Sequence, residues 1–251
     1  PKKLKPEGEA YARVESARQS VRTFDLFNLD RAPIVTSLDD TDLLPSLSLV
    51  YQLGAKTNLR AAVSQTVNRP QFRELAPFEF TDIAGGRATI GNPNLTRALI
   101  RNFDLRWELF PSGREVLAVS LFYKDLKDPI ERTIQPTATL RTSYANVAKA
   151  RNLGAEVEAR VNLGTFTPSL SALTLIANYT YVDSKVTLGQ LQGVVLTSQE
   201  RPLEGQSDSV VNATLEFAPV GSGLSLQLFY NFTGPKISDV GALGIPDIYE
   251  E

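Results

Sequence analysis

Residues 99 to 110 read Leu99-Ile100-Arg101-Asn102-Phe103-Asp104-Leu105-Arg106-Trp107-Glu108-Leu109-Phe110. Leu99, Phe103, Leu105, Trp107 and Leu109 share one face of an extended chain, and Asn102, Asp104, Arg106 and Glu108 share the other. Side chains alternate across a β-strand, so a period of two with one greasy and one charged side predicts a strand; a helix would group its apolar residues every three or four positions. Residues 154 to 163 repeat the pattern, with Ala155, Val157, Ala159, Val161 and Leu163 against Glu156, Glu158, Arg160 and Asn162. Working outward, the same rule marks strands at 10–24, 44–53, 57–67, 99–110, 115–125, 151–163, 170–182, 207–217 and 222–233. The chain is all-β, with about nine long strands.

The connections alternate in length. Gly54-Ala55-Lys56, Pro111-Ser112-Gly113-Arg114, 164–169 and 218–223 are short and built from turn formers. Between them lie long excursions, at 25–43, 68–98, 126–150, 183–206 and beyond 234. An antiparallel meander with tight turns at one end and long loops at the other predicts an up-and-down transmembrane β-barrel. A soluble barrel would place its apolar side in a small dry interior. Asp104, Arg106, Glu108, Glu156, Glu158 and Arg160 are too many ionisable groups for such an interior, and a wide aqueous lumen accommodates them. On the lipid face an Arg would cost about 2–4 kcal/mol at the midplane. Trp107, Tyr123, Tyr179, Tyr181, Tyr230 and Phe232 on the apolar side are expected to form interfacial girdles. Nine strands are an odd number with two open edges, so the expectation is a partial barrel closed by strands outside this sequence.

Composition narrows the function. The 251 residues include no Cys, His or Met, which excludes disulfides, Cys/His zinc sites and catalysis that carries protons on His. A net charge of −2 without a long basic run gives no footprint for nucleic acid. The charged opening segment, 1–8, has no signal-peptide apolar stretch, and no run of about 18 apolar residues reads as a membrane helix.

Several motifs carry a resemblance. Ser64-Gln65-Thr66-Val67-Asn68-Arg69-Pro70, Glu74-Leu75-Ala76-Pro77, Gly91-Asn92-Pro93-Asn94-Leu95 and Asn102-Phe103-Asp104-Leu105 come first. They continue with 121–131, Ala145-Asn146-Val147-Ala148, Leu153-Gly154-Ala155-Glu156, 202–207 and Leu228-Phe229-Tyr230-Asn231-Phe232. Together they resemble the C-terminal barrel part of TonB-dependent outer-membrane receptors. One departure is Thr96-Arg97-Ala98, where the family commonly has Lys-Pro-Glu. The resemblance implies a barrel of 22 strands, of which this sequence supplies strands eleven to nineteen. It also implies a plug domain, a TonB box and the remaining strands outside the sequence. The implied activity is energy-coupled uptake of a scarce ligand such as a siderophore or oligosaccharide, with outer-membrane lipid and the TonB system as partners. A surface lipoprotein on the loops is compatible with it. No cofactor and no enzyme activity are expected.

Arg69, Phe72, Arg73, Phe78, Phe80 and Arg87 lie on the excursion 68–98, where cations and aromatics suit an anionic, planar or sugar-like ligand. Their alternative role is packing the loop onto the barrel rim, and Arg69-Pro70 also reads as a strand terminator. The mixed charges from Asp104 to Arg160 are expected on the lumen wall, as solvated pairs or plug contacts. Asp39-Asp40-Thr41-Asp42, and Asp125 with Asp128, are carboxylates of the kind that bind calcium; the first lacks the spacing and glycine of a calcium loop and reads as a solvated turn, and no metal site is expected. Gly85-Gly86 is a loop tip without a phosphate-loop pattern. Two other functions compete with uptake: a non-transporting barrel serving as adhesin or assembly scaffold, and a passive porin.

Overall fold

The computed structural model describes residues 6–24, 33–81, 86–189 and 194–251. Glu7–Phe24 (β1), Pro33–Gly54 (β2) and Thr57–Asn68 (β3) open the chain, followed by the one-turn helix Phe72–Leu75 (α1) and two short strands, Glu79–Phe80 (β4) and Thr89–Ile90 (β5). Ala98–Leu109 (β6), Val116–Lys127 (β7), Ile130–Gln135 (β8), Arg141–Asn146 (β9) and Lys149–Asn162 (β10) come next. Leu173–Thr187 (β11), Glu200–Arg201 (β12), Ser209–Phe217 (β13), Leu226–Thr233 (β14), Lys236–Asp239 (β15) and Ile248–Glu250 (β16) complete it.

One sheet runs in the order β1-β2-β3-β6-β7-β10-β11-β13-β14, with β12 added beside β11. Its neighbours are antiparallel throughout, and β1 and β14 stand at its two open edges. The register explains why the sequence alternates. Tyr51, Leu59, Trp107, Val119, Val157, Tyr179, Val211 and Phe232 face one another in a single row across eight strands. The adjoining row is Gln52, Asn58, Glu108, Ala118, Glu158, Asn178, Asn212 and Asn231. A slip of one residue on β6, β10 or β11 would bring Glu108, Glu158 or Asn178 into the apolar row.

The burial is inverted relative to a water-soluble protein. Leu105, Val157 and Leu226 on the wall's apolar face are 44%, 47% and 55% exposed, whereas Glu108 on the opposite face is 7% exposed. The water-excluded apolar clusters lie in the long excursions. Ile134, Ile237, Val240 and Ala242 form one, and Val147, Ala150, Val186 and Leu188 form another. A wall that leaves its leucines bare while its connections build a buried core uses hydrocarbon as the solvent of its outer face. The girdle candidates Trp107, Tyr179, Tyr181, Tyr230 and Phe232 all lie on that exposed face, and Tyr123 stacks near Phe103 with ring centroids 6.1 Å apart.

Two readings of the sequence are corrected here. Residues 33–43 belong to β2 and are not a loop, and Asp39-Asp40-Thr41-Asp42 sits inside that strand and is not a turn. The long hairpin β1–β2 rises past the region where one face must be oily. With water on both sides, hydropathy no longer reports the period, although Thr36, Asp42 and Leu44 are buried along one face. The excursion 126–150 forms the hairpin β8–β9, part of a second sheet in the order β4-β5-β9-β8. Gly85 lies outside the described residues.

Candidate functional site

On the ionic face of the wall, the one expected to line the lumen, Arg106 ties three strands together. Its Nη2 donates to Glu158 Oε2 at 2.6 Å, its Nε to Glu108 Oε1 at 2.9 Å and its Nη1 to Ser120 Oγ at 3.1 Å. Arg60 Nε adds β3 to the network through Glu108 Oε2 at 2.8 Å. Three of the six lumen charges, Arg106, Glu108 and Glu158, therefore meet. Glu156 stands in the row of Arg106, across Ser120, while Asp104 and Arg160 share the face in other rows, opposite Phe122 and Val116. At the row of Asp104, Phe122 lies across Gly154, where a Cβ would meet the ring at 2.2 Å.

A second ionic cluster fixes the longest excursion to the wall. Arg69 Nη2 donates to Asp42 Oδ2 at 2.9 Å, and the same guanidinium also donates to Glu15. Arg97 donates through Nε to Asp42 and pairs through Nη1 with Asp40 at 3.0 Å. The side chain of Asp42 is 2% exposed, so both guanidiniums compensate an almost dry carboxylate. Arg69 and Arg97 stand at the two ends of the excursion, so this cluster closes the loop at its base.

The family-like motifs act higher in the loop. Gly91 passes so close to α1 that a Cβ would meet the Ala76 carbonyl oxygen at 2.3 Å, which only glycine allows. The Asn92 amide N–H donates to the Glu74 carbonyl at 2.6 Å, and its side-chain Nδ2 donates to the Tyr144 carbonyl at 2.8 Å. Asn146 Nδ2 donates to the Asp128 and Thr96 carbonyls at 2.7 and 2.9 Å, and its Oδ1 accepts from the Thr96 N–H at 2.8 Å. Two asparagines thus clasp the two excursions 68–98 and 126–150 into one cap.

Of the six ligand-contact candidates, the structure gathers three. The Arg73 guanidinium lies 4.3 Å from the Phe80 ring centroid, and Phe78 and Phe80 are 5.8 Å apart. Phe72 and Phe78 are 60% and 43% exposed. Arg69 is engaged at the loop base, and Arg87 Nη1 donates to Asp239 Oδ1 at 3.1 Å, tying the loop to β15.

Beneath the cap, a cavity of about 390 Å³ is lined by Glu74, Glu131, Arg132, Tyr144, Glu204 and Glu250, among others. Glu131 pairs with Arg201 at 2.8 Å, the side chains being 5% and 2% exposed, and Arg132 pairs with Glu204 at 2.8 Å. Burial pushes the Glu131 carboxyl up to about 7, the repulsion of Glu204 adding to it and Arg201 opposing it. Burial raises Glu204 as well. The folded chain therefore retains a proton on Glu131 that the unfolded chain releases above its ordinary value of 4.5. Cap stability is expected to fall as pH rises from about 4.5 to about 7 and to be level outside that window. Glu131→Gln should reduce this slope to the part that Glu204 contributes, measured as the backbone hydrogen-exchange protection of Ile130–Gln135 at the two ends of the window.

Arg60, Asp42, Arg97, Glu131 and Arg201 were not found among the sequence candidates. The signal available for Asp40 and Asp42 was their spacing of two, which places both on one face of a strand.

A nine-strand antiparallel wall with an oily outer face, an ionic lumen face and a cap of interlocked long loops defines a segment of an outer-membrane β-barrel. The chain belongs to the TonB-dependent receptor β-barrel family, which it matches over residues 8–245. Members of this family are non-enzymatic outer-membrane proteins. The fold is similar to that of the ferric-catecholate import receptor Fiu of Escherichia coli K12, at 14% identity and a TM-score of 0.65 over 97% of this chain and 35% of that one. It is also similar to the siderophore receptor PirA of Pseudomonas aeruginosa, at 19% identity and a TM-score of 0.57 over 91% of this chain and 40% of that one. The hemophore receptor HasR of Serratia marcescens gives 14% identity and a TM-score of 0.57 over 91% and 40%. The chain thus spans between 33% and 40% of the length of the first receptors it matches.

Proposed function

We propose that this chain forms wall and loop cap of an outer-membrane receptor that takes up a scarce ligand, such as a siderophore or an oligosaccharide, with energy delivered through TonB to a plug domain inside the completed barrel. The observation that carries this reading is the cap itself. A passive pore has no use for two excursions clasped by Asn92 and Asn146, whereas a receptor needs a preorganised surface facing outward. Arg73, Phe78 and Phe80 form the cation–aromatic group on that surface best suited to a planar or hydroxyl-rich ligand. The similarity to siderophore and hemophore receptors supports the uptake class.

The test uses the full-length receptor in cells. Uptake of its ligand should depend on TonB, and the double variant Arg73→Ala/Phe80→Ala should weaken ligand binding about tenfold while leaving barrel assembly intact. Uptake that continues unchanged in cells lacking TonB would contradict the reading.

A further inference from the structure

The polar face of the wall is two surfaces side by side. From β3 to β10 it is ionic: Arg60, Asp104, Arg106, Glu108, Glu158 and Arg160 stand there, and the Arg106 guanidinium is spent on Glu108, Glu158 and Ser120. From β11 to β14 it is neutral. Along 174–180 of β11, 210–216 of β13 and 227–233 of β14 this face carries one charge, Glu216, at the end near the short turns.

A ladder of amides and hydroxyls takes the place of charge. Asn178, Asn212 and Asn231 face one another in one row, and Thr180 and Thr233 stand in the row toward the long loops. Thr214 lies in the row toward the short turns, opposite Phe229. Asn212 Nδ2 donates to Asn178 Oδ1 at 2.9 Å, and among the described residues no other hydrogen bond engages these amide and hydroxyl side chains. Successive rows are about 7 Å apart, two residues along a strand. Amides and hydroxyls both donate and accept, so a ligand rich in such groups can exchange one row's hydrogen bonds for the next without losing them all at once. Passage needs sites that are many and weak enough to be left, which a ladder of neutral groups provides. An anion on this stripe would give up water and meet no cation in return.

We propose that the ligand moves through the completed barrel along β11, β13 and β14, and that this stripe selects an uncharged ligand bearing hydroxyl and amide groups. Asn178 and Asn212 are the central contacts, and Phe229 offers a platform to the apolar face of a sugar ring. The inference rests on the uptake reading, with the polar face lining the lumen.

Cells that lack their own receptors for the probes and express the full-length protein are given a tritiated pool of neutral malto-, xylo- and chito-oligosaccharides and, separately, ferric enterobactin, an anionic chelate. Rates are taken per folded receptor in the outer membrane, counted by immunoblot. Uptake of the neutral pool should depend on TonB and exceed uptake of the chelate. Asn212→Trp should lower the maximal rate about tenfold without changing the half-saturating concentration, and Asn212→Ser should stay within about twofold of the unmodified receptor. Ala62→Trp, on the same face in the ionic half opposite Asp104, should match the unmodified receptor. TonB-dependent uptake that favours ferric enterobactin, or equal losses from the tryptophans at 62 and 212, would overturn this inference and leave the uptake reading in place. Uptake of the neutral pool without TonB would contradict the uptake reading itself, and uptake of neither probe would overturn both.

Discussion

Val157→Arg is expected to destabilise the membrane-inserted receptor by about 2–4 kcal/mol. Val157 lies mid-strand on β10, opposite Val119 and Tyr179, in the row that is apolar across eight strands. A guanidinium there would have to enter hydrocarbon or pull water and headgroups toward itself. The neighbouring lumen position provides the contrast. Asn178 faces Glu158 and Asn212, and Asn178→Arg should change stability by no more than about 0.5 kcal/mol. Urea unfolding midpoints of the receptor folded into lipid vesicles separate the two variants. Equal losses would mean that the two faces see the same solvent.

Asp42→Ala is expected to cost about 3–5 kcal/mol in the docking of the 69–97 excursion. The carboxylate is 2% exposed and serves Arg69 and Arg97 together, so its removal leaves Arg69 with Glu15 alone and Arg97 with Asp40 alone. Both ends of the loop lose one of their two ties to the wall at once. Asp39, three residues earlier and on the opposite face, pairs with Arg18 at 2.6 Å, but the partners are 55% and 75% exposed. Asp39→Ala should therefore cost only about 0–1 kcal/mol. Limited proteolysis of the folded receptor reads the difference, with cleavage after Arg73 or Arg87 accelerated in the first variant and unchanged in the second.

The contrast between these two aspartates also explains how much of the molecule could be read from its sequence. Where a strand crosses hydrocarbon, one face must be apolar, and the alternation from Leu99 to Leu109 or from Ala155 to Leu163 is imposed by that solvent. The architecture and the facing of Leu105, Val157 and Leu226 follow from it. Above the membrane the constraint lapses. β2 extends back to Pro33 with Asp40 and Asp42 on one face and Asp39 and Thr41 on the other, so no hydropathy period marks it. The site was legible only by residue type. Arg69 carries the same chemistry as Arg73, yet Arg69 is turned to a carboxylate 27 residues earlier on a neighbouring strand while Arg73 lies over Phe80. Deciding between them requires the register. The same holds for Glu131 and Arg201, which meet only because the β8–β9 hairpin and β12 pack in one cap. The motif residues Gly91, Asn92 and Asn146 were visible in the sequence, and the structure supplies their physical reason: close backbone approach and the carbonyls of two excursions.

Asn178 and Tyr179 are neighbours on β11 that point to opposite sides of the wall. Because the chain contains no cysteine, single cysteines can be placed at each position and labelled with a polarity-sensitive fluorophore in the receptor folded into bilayers. The label at 179 should be quenched by a lipid-borne quencher and shielded from iodide, and the label at 178 should show the reverse. Quenching by iodide at both positions, or by the lipid-borne quencher at 178, would show that the oily face of this wall does not meet the membrane.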